Sequence, residues 1–256
     1  MQDWVSQQRI RVYLHIGLHK TGTTSFQKYC RDNHEAMLGQ NLVWYRPMVD
    51  ELNAHEVSLS VLRDGVMPVP SWYTNPADVS RRLQQIIDAH PGKDLLVSAE
   101  ALSFIRTEVE CERLRSLFGE RVKDCDFVVL VVMREREDWW QSYSNEIMKT
   151  PLGPSRDPVS YRCLQQPSWL TDFEGLLDAY RRQFDDVRTI TYCKSDTIPL
   201  LLAELQQDLP VDYEAIRLNQ RDMIPRIRSW YKRNLAETFV GRAWRKLKRV
   251  ISMRRK

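Results

Sequence analysis

"HIGLHKTGTTS", residues 15–25, carries two glycines, a lysine and a run of hydroxyls between an apolar run and an amphipathic segment. Gly17 and Gly22 have the separation found in G-x-x-x-x-G-K-[ST], the ATP-binding phosphate loop. The lysine is displaced: Lys20 precedes Gly22, and Thr23 stands where that motif puts lysine. Backbone N–H groups of such a loop, with the N-terminus of the helix behind it, make an anion site. Thr23, Thr24 and Ser25 add hydroxyl donors, and Lys20 adds a compact positive charge. A plain strand-to-helix turn capped by threonines would have little need of lysine, two glycines and three hydroxyls together.

Working outward, "RVYLHIG" is β-branched and apolar and stops at Gly17, which predicts a buried strand; "TTSFQKYCRDNHEAM" predicts one helix over 23–37. "NLVWY" predicts a short strand. Asn75-Pro76 reads as a helix start, with Asn75 as N-cap and the helix running through "ADVSRRLQQIIDAH". "DLLVSAE" is a second buried strand, "TEVECERLRSLFG" a helix, and "DFVVLVVMR" the most apolar run and a central strand. "EDWWQSYSNEIMK" is the helix behind it, and residues 150–170, with four prolines, form a long irregular loop. "WLTDFEGLLDAYRRQF" (helix), "VRTITYC" (strand) and "TIPLLLAELQQDL" (helix) complete the alternation. Alternating strands and helices predict an α/β fold, a three-layer αβα sandwich with a central, mostly parallel sheet, and the opening stretch gives it a P-loop-like phosphate-binding loop. Ligands then sit beyond the carboxyl ends of the strands, at Gly17–Ser25, Ser98–Glu100, Arg134 onward and Lys194 onward.

The third of these strand ends reads "VVMREREDWWQSYSNE". Arginine offers a planar fork to a phosphate, and Ser142, eight residues past Arg134, lies about two turns into the following helix. With the first loop, this pair makes the chain resemble the sulfotransferases that use 3′-phosphoadenosine 5′-phosphosulfate (PAPS). That family places a basic residue ahead of Gly-Thr-Thr, as in "HKTGTTS", and ends a later strand in arginine with a serine eight residues downstream. The resemblance covers residues 10–220. It implies that Lys20, Thr21, Gly22, Thr23, Thr24 and Ser25 hold the 5′-phosphosulfate, that Arg134 and Ser142 hold the 3′-phosphate, and that no metal is required. The glycine-rich C-terminal motif of the cytosolic small-molecule enzymes does not occur, which points to the bacterial and carbohydrate-type branches, with a hydroxyl-bearing glycan or glycoconjugate as acceptor. Adenosine 3′,5′-bisphosphate (PAP) would be the leaving product.

The reaction needs a base. Glu100 is the first candidate, His19 the second and His55 the third, with Glu100 and His55 also facing the acceptor. His15 reads as a satisfied core histidine, and His34 and His90 as surface or helix-end residues. Lys194 reads as a solvated strand-end lysine and Trp139 and Trp140 as core or as walls of the nucleotide pocket.

Of the net charge of +4, residues 226–256 carry 12 Lys/Arg against Glu237 alone; the remainder is mildly acidic. This divides the chain into a PAPS-binding domain, 1–225, and a basic amphipathic tail, 226–256, whose last part, 242–256, is expected to meet a membrane surface or a polyanion. Five scattered cysteines without a CxxC pair predict reduced thiols rather than a zinc site or a disulfide frame. No secretory signal is read, so a cytoplasmic place, peripheral to the inner membrane, is the expectation, with no specific nucleic acid as partner. Two readings compete with sulfate transfer: a nucleotide or sugar kinase of P-loop type, which would need a metal carboxylate, and a non-catalytic nucleotide- or polyanion-binding protein.

Overall fold

The computed structural model describes residues 9–48, 52–73 and 75–211. The basic tail and the far end of the 1–225 domain lie outside them. The α/β body lies within Met1–Met67 and Asn75–Val211; Pro68–Thr74 belongs to a second unit, and within it the Tyr73 N–H donates to the Pro70 carbonyl at 3.1 Å.

The strands are β1 (Ile10–Gly17), β2 (Leu42–Trp44), β3 (Asp94–Ser98), β4 (Cys125–Met133) and β5 (Asp186–Thr191). They form one parallel sheet in the order β2-β3-β1-β4-β5. Helices cover both faces, as the alternation predicts: α1 (Thr23–Asp32), α2 (His34–Gly39), α3 (His55–Val61), α4 (Pro76–Ala89), α5 (Glu108–Ser116), α6 (Arg136–Lys149), α7 (Phe173–Arg181) and α8 (Thr197–Glu204). Central strands of such a sheet are buried on both faces, so they read as unbroken apolar runs rather than alternations. Val12, Tyr13, Leu14 and Ile16 of β1 and Val128–Val132 of β4 are all buried. The β5 edge is instead charged. Arg188 donates to Asp186 at 2.6 Å and to Glu204 of α8 at 2.9 Å, a device that discourages pairing with another chain.

Several boundaries differ from the sequence expectation. The helix expected over 23–37 breaks at Asn33, whose side-chain amide and backbone N–H both donate to the Tyr29 carbonyl, ending α1 before α2 begins. The strand expected over 94–100 ends at Ser98, and Glu100 opens a 3-10 turn, Glu100–Phe104. Helix α8 stops at Glu204 rather than 209, and Gln206 then takes a left-handed φ of 56°. Helix α3, seven residues with no side-chain cap, was not foreseen. Asn75 caps α4 as expected, accepting from the Asp78 N–H.

Because all five strands run the same way, their carboxyl ends share one edge. The chain leaves β1 towards β2 and β3 on one side and β4 and β5 on the other, so this edge at β1 is the topological switch point where α/β sheets hold ligands.

Candidate functional site

The loop leaving β1 is built from left-handed residues: Gly17 at φ 80°, Lys20 at 64° and Gly22 at 83°. Such positions turn successive N–H groups inward. At Gly17 the need for glycine is also steric. A Cβ there would lie 3.1 Å from Thr23 Cγ2 and 3.3 Å from Glu100 Cβ. The loop's carbonyls are tied back: Leu18 O accepts from the Thr21 hydroxyl at 2.6 Å, His19 O from the Trp139 indole at 2.7 Å, and Lys20 O from Arg134 Nη1 at 3.3 Å. Gly22 precedes α1 and has no side chain to cap it. The positive end of α1 therefore faces the loop.

The Thr21 side chain is fully buried and its hydroxyl is spent on Leu18 O, so the hydroxyl braces the loop from inside, and the contribution Thr21 can make to a ligand is its backbone N–H.

Glu100 is reached from the end of β3 and meets the loop at Gly17 and Thr23. Its Oε2 accepts from the Thr23 hydroxyl at 2.5 Å, and its Oε1 accepts from Asn53 Nδ2 at 3.3 Å and lies 3.8 Å from His19 Nε2. Burial works to raise this carboxyl. The His19 ring, the Thr23 hydrogen bond, His55 and Lys20 outweigh it and hold the carboxyl below its ordinary value. Glu100 is thus an ionised acceptor at neutral pH.

His19 is walled by aromatics. Its ring stacks on Phe104 at 4.6 Å, meets Tyr143 edge-on at 5.8 Å, and brings Nδ1 to 3.4 Å from the Ser103 hydroxyl. Burial lowers its pKa, although Glu100 pulls the other way, so the imidazole is neutral at pH 7. His55 opens α3 and contributes to the field at Glu100. All three base candidates therefore face one region.

Lys20 Nζ pairs with Glu146 of α6, one turn beyond Ser142. Arg134 lies over the Tyr192 ring at 5.3 Å, and its bond to Lys20 O brings its guanidinium against the loop. No hydrogen bond joins Arg134 to Ser142, and each remains half-exposed. Thr24 is half-exposed on the first turn of α1, beside Ser25. Trp139 is buried core that also holds the loop, Trp140 is half-buried, and Lys194 is exposed at the end of β5. Sequence reading did not single out Asn53, Ser103, Glu146 or Tyr192; only side-chain contact across the fold reveals them.

His15 was expected to be a satisfied core histidine, and the structure satisfies half of it. Nδ1 lies 2.8 Å from the Ser98 hydroxyl, while the buried Nε2 has no hydrogen-bond partner among the described residues. Burial drives its pKa down to about 4. The unfolded chain therefore takes up a proton near pH 6.5 that the folded chain refuses. Stability present in full above pH 6.5 is lost as pH falls towards 4, by about 3 kcal/mol at most. His15→Leu is expected to flatten that loss, read from guanidinium unfolding at pH 7 and at pH 4.5; an unchanged difference would show that His15 does not set it.

Among the described residues no group of three or more His, Cys, Asp or Glu is arranged to hold a metal ion, and no helix is long and apolar enough to cross a membrane. The four cysteines Cys30, Cys111, Cys125 and Cys163 are buried as free thiols, and Cys193 is partly exposed.

Comparison with known proteins places the chain in no family: no family model and no curated protein matches it. Among solved structures, a fungal RNA kinase aligns with 90% of this chain and 99% of its own, at 12% identity and a TM-score of 0.37. A likeness that distant says nothing about chemistry, and the functional reading rests on the site itself.

Proposed function

We propose that the chain is a PAPS-dependent sulfotransferase acting on a hydroxyl-bearing acceptor, a carbohydrate or glycoconjugate. The observation that carries this is the meeting of one left-handed, lysine-bearing loop with the Glu100 carboxylate through Thr23. Gly17, Lys20 and Gly22 set the left-handed turns of the loop, Thr23 donates to the ionised Glu100 carboxylate, and Lys20 contributes to the field at that carboxylate. The residues fit the donor in kind: a loop for one phosphate group, an arginine at the end of β4 for a second, and no lysine after Gly22 to serve a triphosphate. When bound, PAPS supplies the sulfuryl group and departs as the bisphosphate.

The chain's own part is threefold. Lys20 and the N-terminus of α1 offer preorganised positive charge where negative charge gathers on the leaving 5′-phosphate. Arg134 and Ser142 serve the 3′-phosphate, with Tyr192 keeping the Arg134 fork in place. Glu100 accepts the proton of the acceptor's hydroxyl, with His19, neutral at pH 7, as the neighbouring alternative.

One observation favours a second reading, a P-loop kinase. The Thr23–Glu100 hydrogen bond joins a loop hydroxyl to a strand-end acid, the pair with which P-loop enzymes hold magnesium. The two readings separate in calorimetry. Sulfate transfer predicts binding of adenosine 3′,5′-bisphosphate that magnesium does not alter, and its weakening in Arg134→Ala by roughly tenfold or more, the worth of a charge-assisted hydrogen bond. Tight binding of magnesium–ATP with no preference for the bisphosphate would replace the sulfotransferase reading with the kinase one.

A further inference from the structure

The acid of the site has a neighbour whose bonding is incomplete. Asn53 is only 5% exposed. Its Nδ2 donates to Glu100 Oε1 at 3.3 Å, and its buried Oδ1 has no hydrogen-bond partner among the described residues. The orientation of the amide is fixed by charge, since turning it over would set Oδ1 against the Glu100 carboxylate. Buried amide oxygens normally have donors, and one that lacks them beside a candidate base marks a place where a donor is to arrive.

The backbone holds Asn53 firmly. Ala54 has φ −73° and ψ 60°, and the His55 N–H donates to the Asn53 carbonyl at 2.7 Å, so Asn53-Ala54-His55 is an inverse γ-turn leading into α3. The Ala54 N–H donates to Ser98 O at 3.2 Å, pinning that turn to the end of β3, two residues before Glu100. The far end of α3 is anchored as well, where the buried Glu110 carboxylate accepts from the Arg63 N–H at 2.9 Å and the Arg106 N–H at 3.0 Å. Glu100 Oε2 is already spent on Thr23. The oxygen left for a substrate proton is Oε1, the one Asn53 touches.

We propose that Asn53 is an acceptor-binding residue: its Nδ2 orients Glu100 Oε1, which takes the proton of the reacting hydroxyl, and its Oδ1 accepts a hydrogen bond from a second hydroxyl or amine hydrogen of the acceptor beside it. This rests on the sulfotransferase reading, in which Glu100 takes the acceptor's proton. A ligand group with a single lone pair and no hydrogen cannot satisfy the pair; an alcohol beside a second hydroxyl, as on a sugar ring, satisfies both at once.

The test compares the full chain with Asn53→Ala and Asn53→Asp in three measurements. Carbon-detected NMR titration of Glu100 in the free protein is expected to move upward in Asn53→Ala, which removes a donor to the carboxylate, and further upward in Asn53→Asp, which sets a like charge beside it. His19, Lys20 and His55, which also face Glu100, are unchanged in both variants, so the difference reports Asn53. Binding of adenosine 3′,5′-bisphosphate is expected to stay at the wild-type value in both. Sulfate transfer from PAPS to a panel of hexose and hexosamine oligosaccharides is expected to show acceptor KM raised by about tenfold or more in Asn53→Ala, the worth of one buried hydrogen bond to a polar group. Unchanged acceptor KM overturns the acceptor contact, and an unmoved Glu100 titration overturns its orienting part. A wild type that binds the bisphosphate but sulfates no member of the panel overturns the acceptor class. Should the wild type bind no bisphosphate, the sulfotransferase reading falls instead, and the Glu100 titration still decides whether Asn53 holds that carboxyl.

Discussion

Glu100→Gln is expected to lower sulfate transfer by roughly 10²–10⁴-fold, the range that a positioned general base contributes, while leaving bisphosphate affinity in place. The substitution keeps the shape of the side chain. The new amide oxygen can still accept from Thr23, and its NH₂ can be met by the Asn53 Oδ1 once that amide turns over. The loop should therefore survive, and what is lost is the ability to take a proton. In the wild type the carboxyl is held below its ordinary value, so the acid limb of the rate profile is displaced to lower pH than an ordinary glutamate would give. The same depression ties stability to pH. The contribution of Glu100 is present above the unfolded-state pKa and is lost as pH falls through the folded one. Turnover unchanged in Glu100→Gln would move the base to His19, whose Nε2 stands 3.8 Å from the same carboxylate. A loss of magnesium–ATP binding in its place would make Glu100 a metal ligand and the chain a kinase.

What the sequence made legible follows from the range over which each feature acts. The parallel sheet could be read because burial on both faces writes itself locally, as in the unbroken "FVVLVV" of β4. The loop could be read because left-handed backbone selects glycine at Gly17 and Gly22. Lys20 shares that conformation without being glycine, and nothing in its neighbours announces it. Thr21 and Thr23 look alike in a string, yet one braces Leu18 O and the other reaches Glu100 across 77 residues of chain. Asn53 was silent for the same reason. Its meaning lies in a contact with Glu100, 47 residues away, and in a carbonyl oxygen that no donor among the described residues meets. Helix ends were misjudged wherever a single side chain decided them, as Asn33 does for α1.

Lys20→Ala is the second large effect expected, a fall of roughly 10²–10³-fold in kcat, comparable to removing one preorganised donor from a developing negative charge. The reason is place rather than quantity of charge. The ammonium is carried by the loop itself, on its one non-glycine residue with positive φ. It rests on Glu146, a pair half open to solvent, and exposed pairs of that kind add little to stability. Thermal unfolding of Lys20→Ala should accordingly stay close to wild type. Lys20→Gly separates charge from backbone. Glycine accepts a φ of 64° without strain, so any loss that Lys20→Ala owes to a distorted loop should be recovered in Lys20→Gly, and any loss it owes to the missing ammonium should not. Equal loss of turnover in both variants, with bisphosphate binding weakened far less than kcat, is the result that assigns Lys20 to the leaving 5′-phosphate. A Lys20→Gly enzyme with wild-type turnover would reduce Lys20 to a loop former and leave the charge of the site to Arg134.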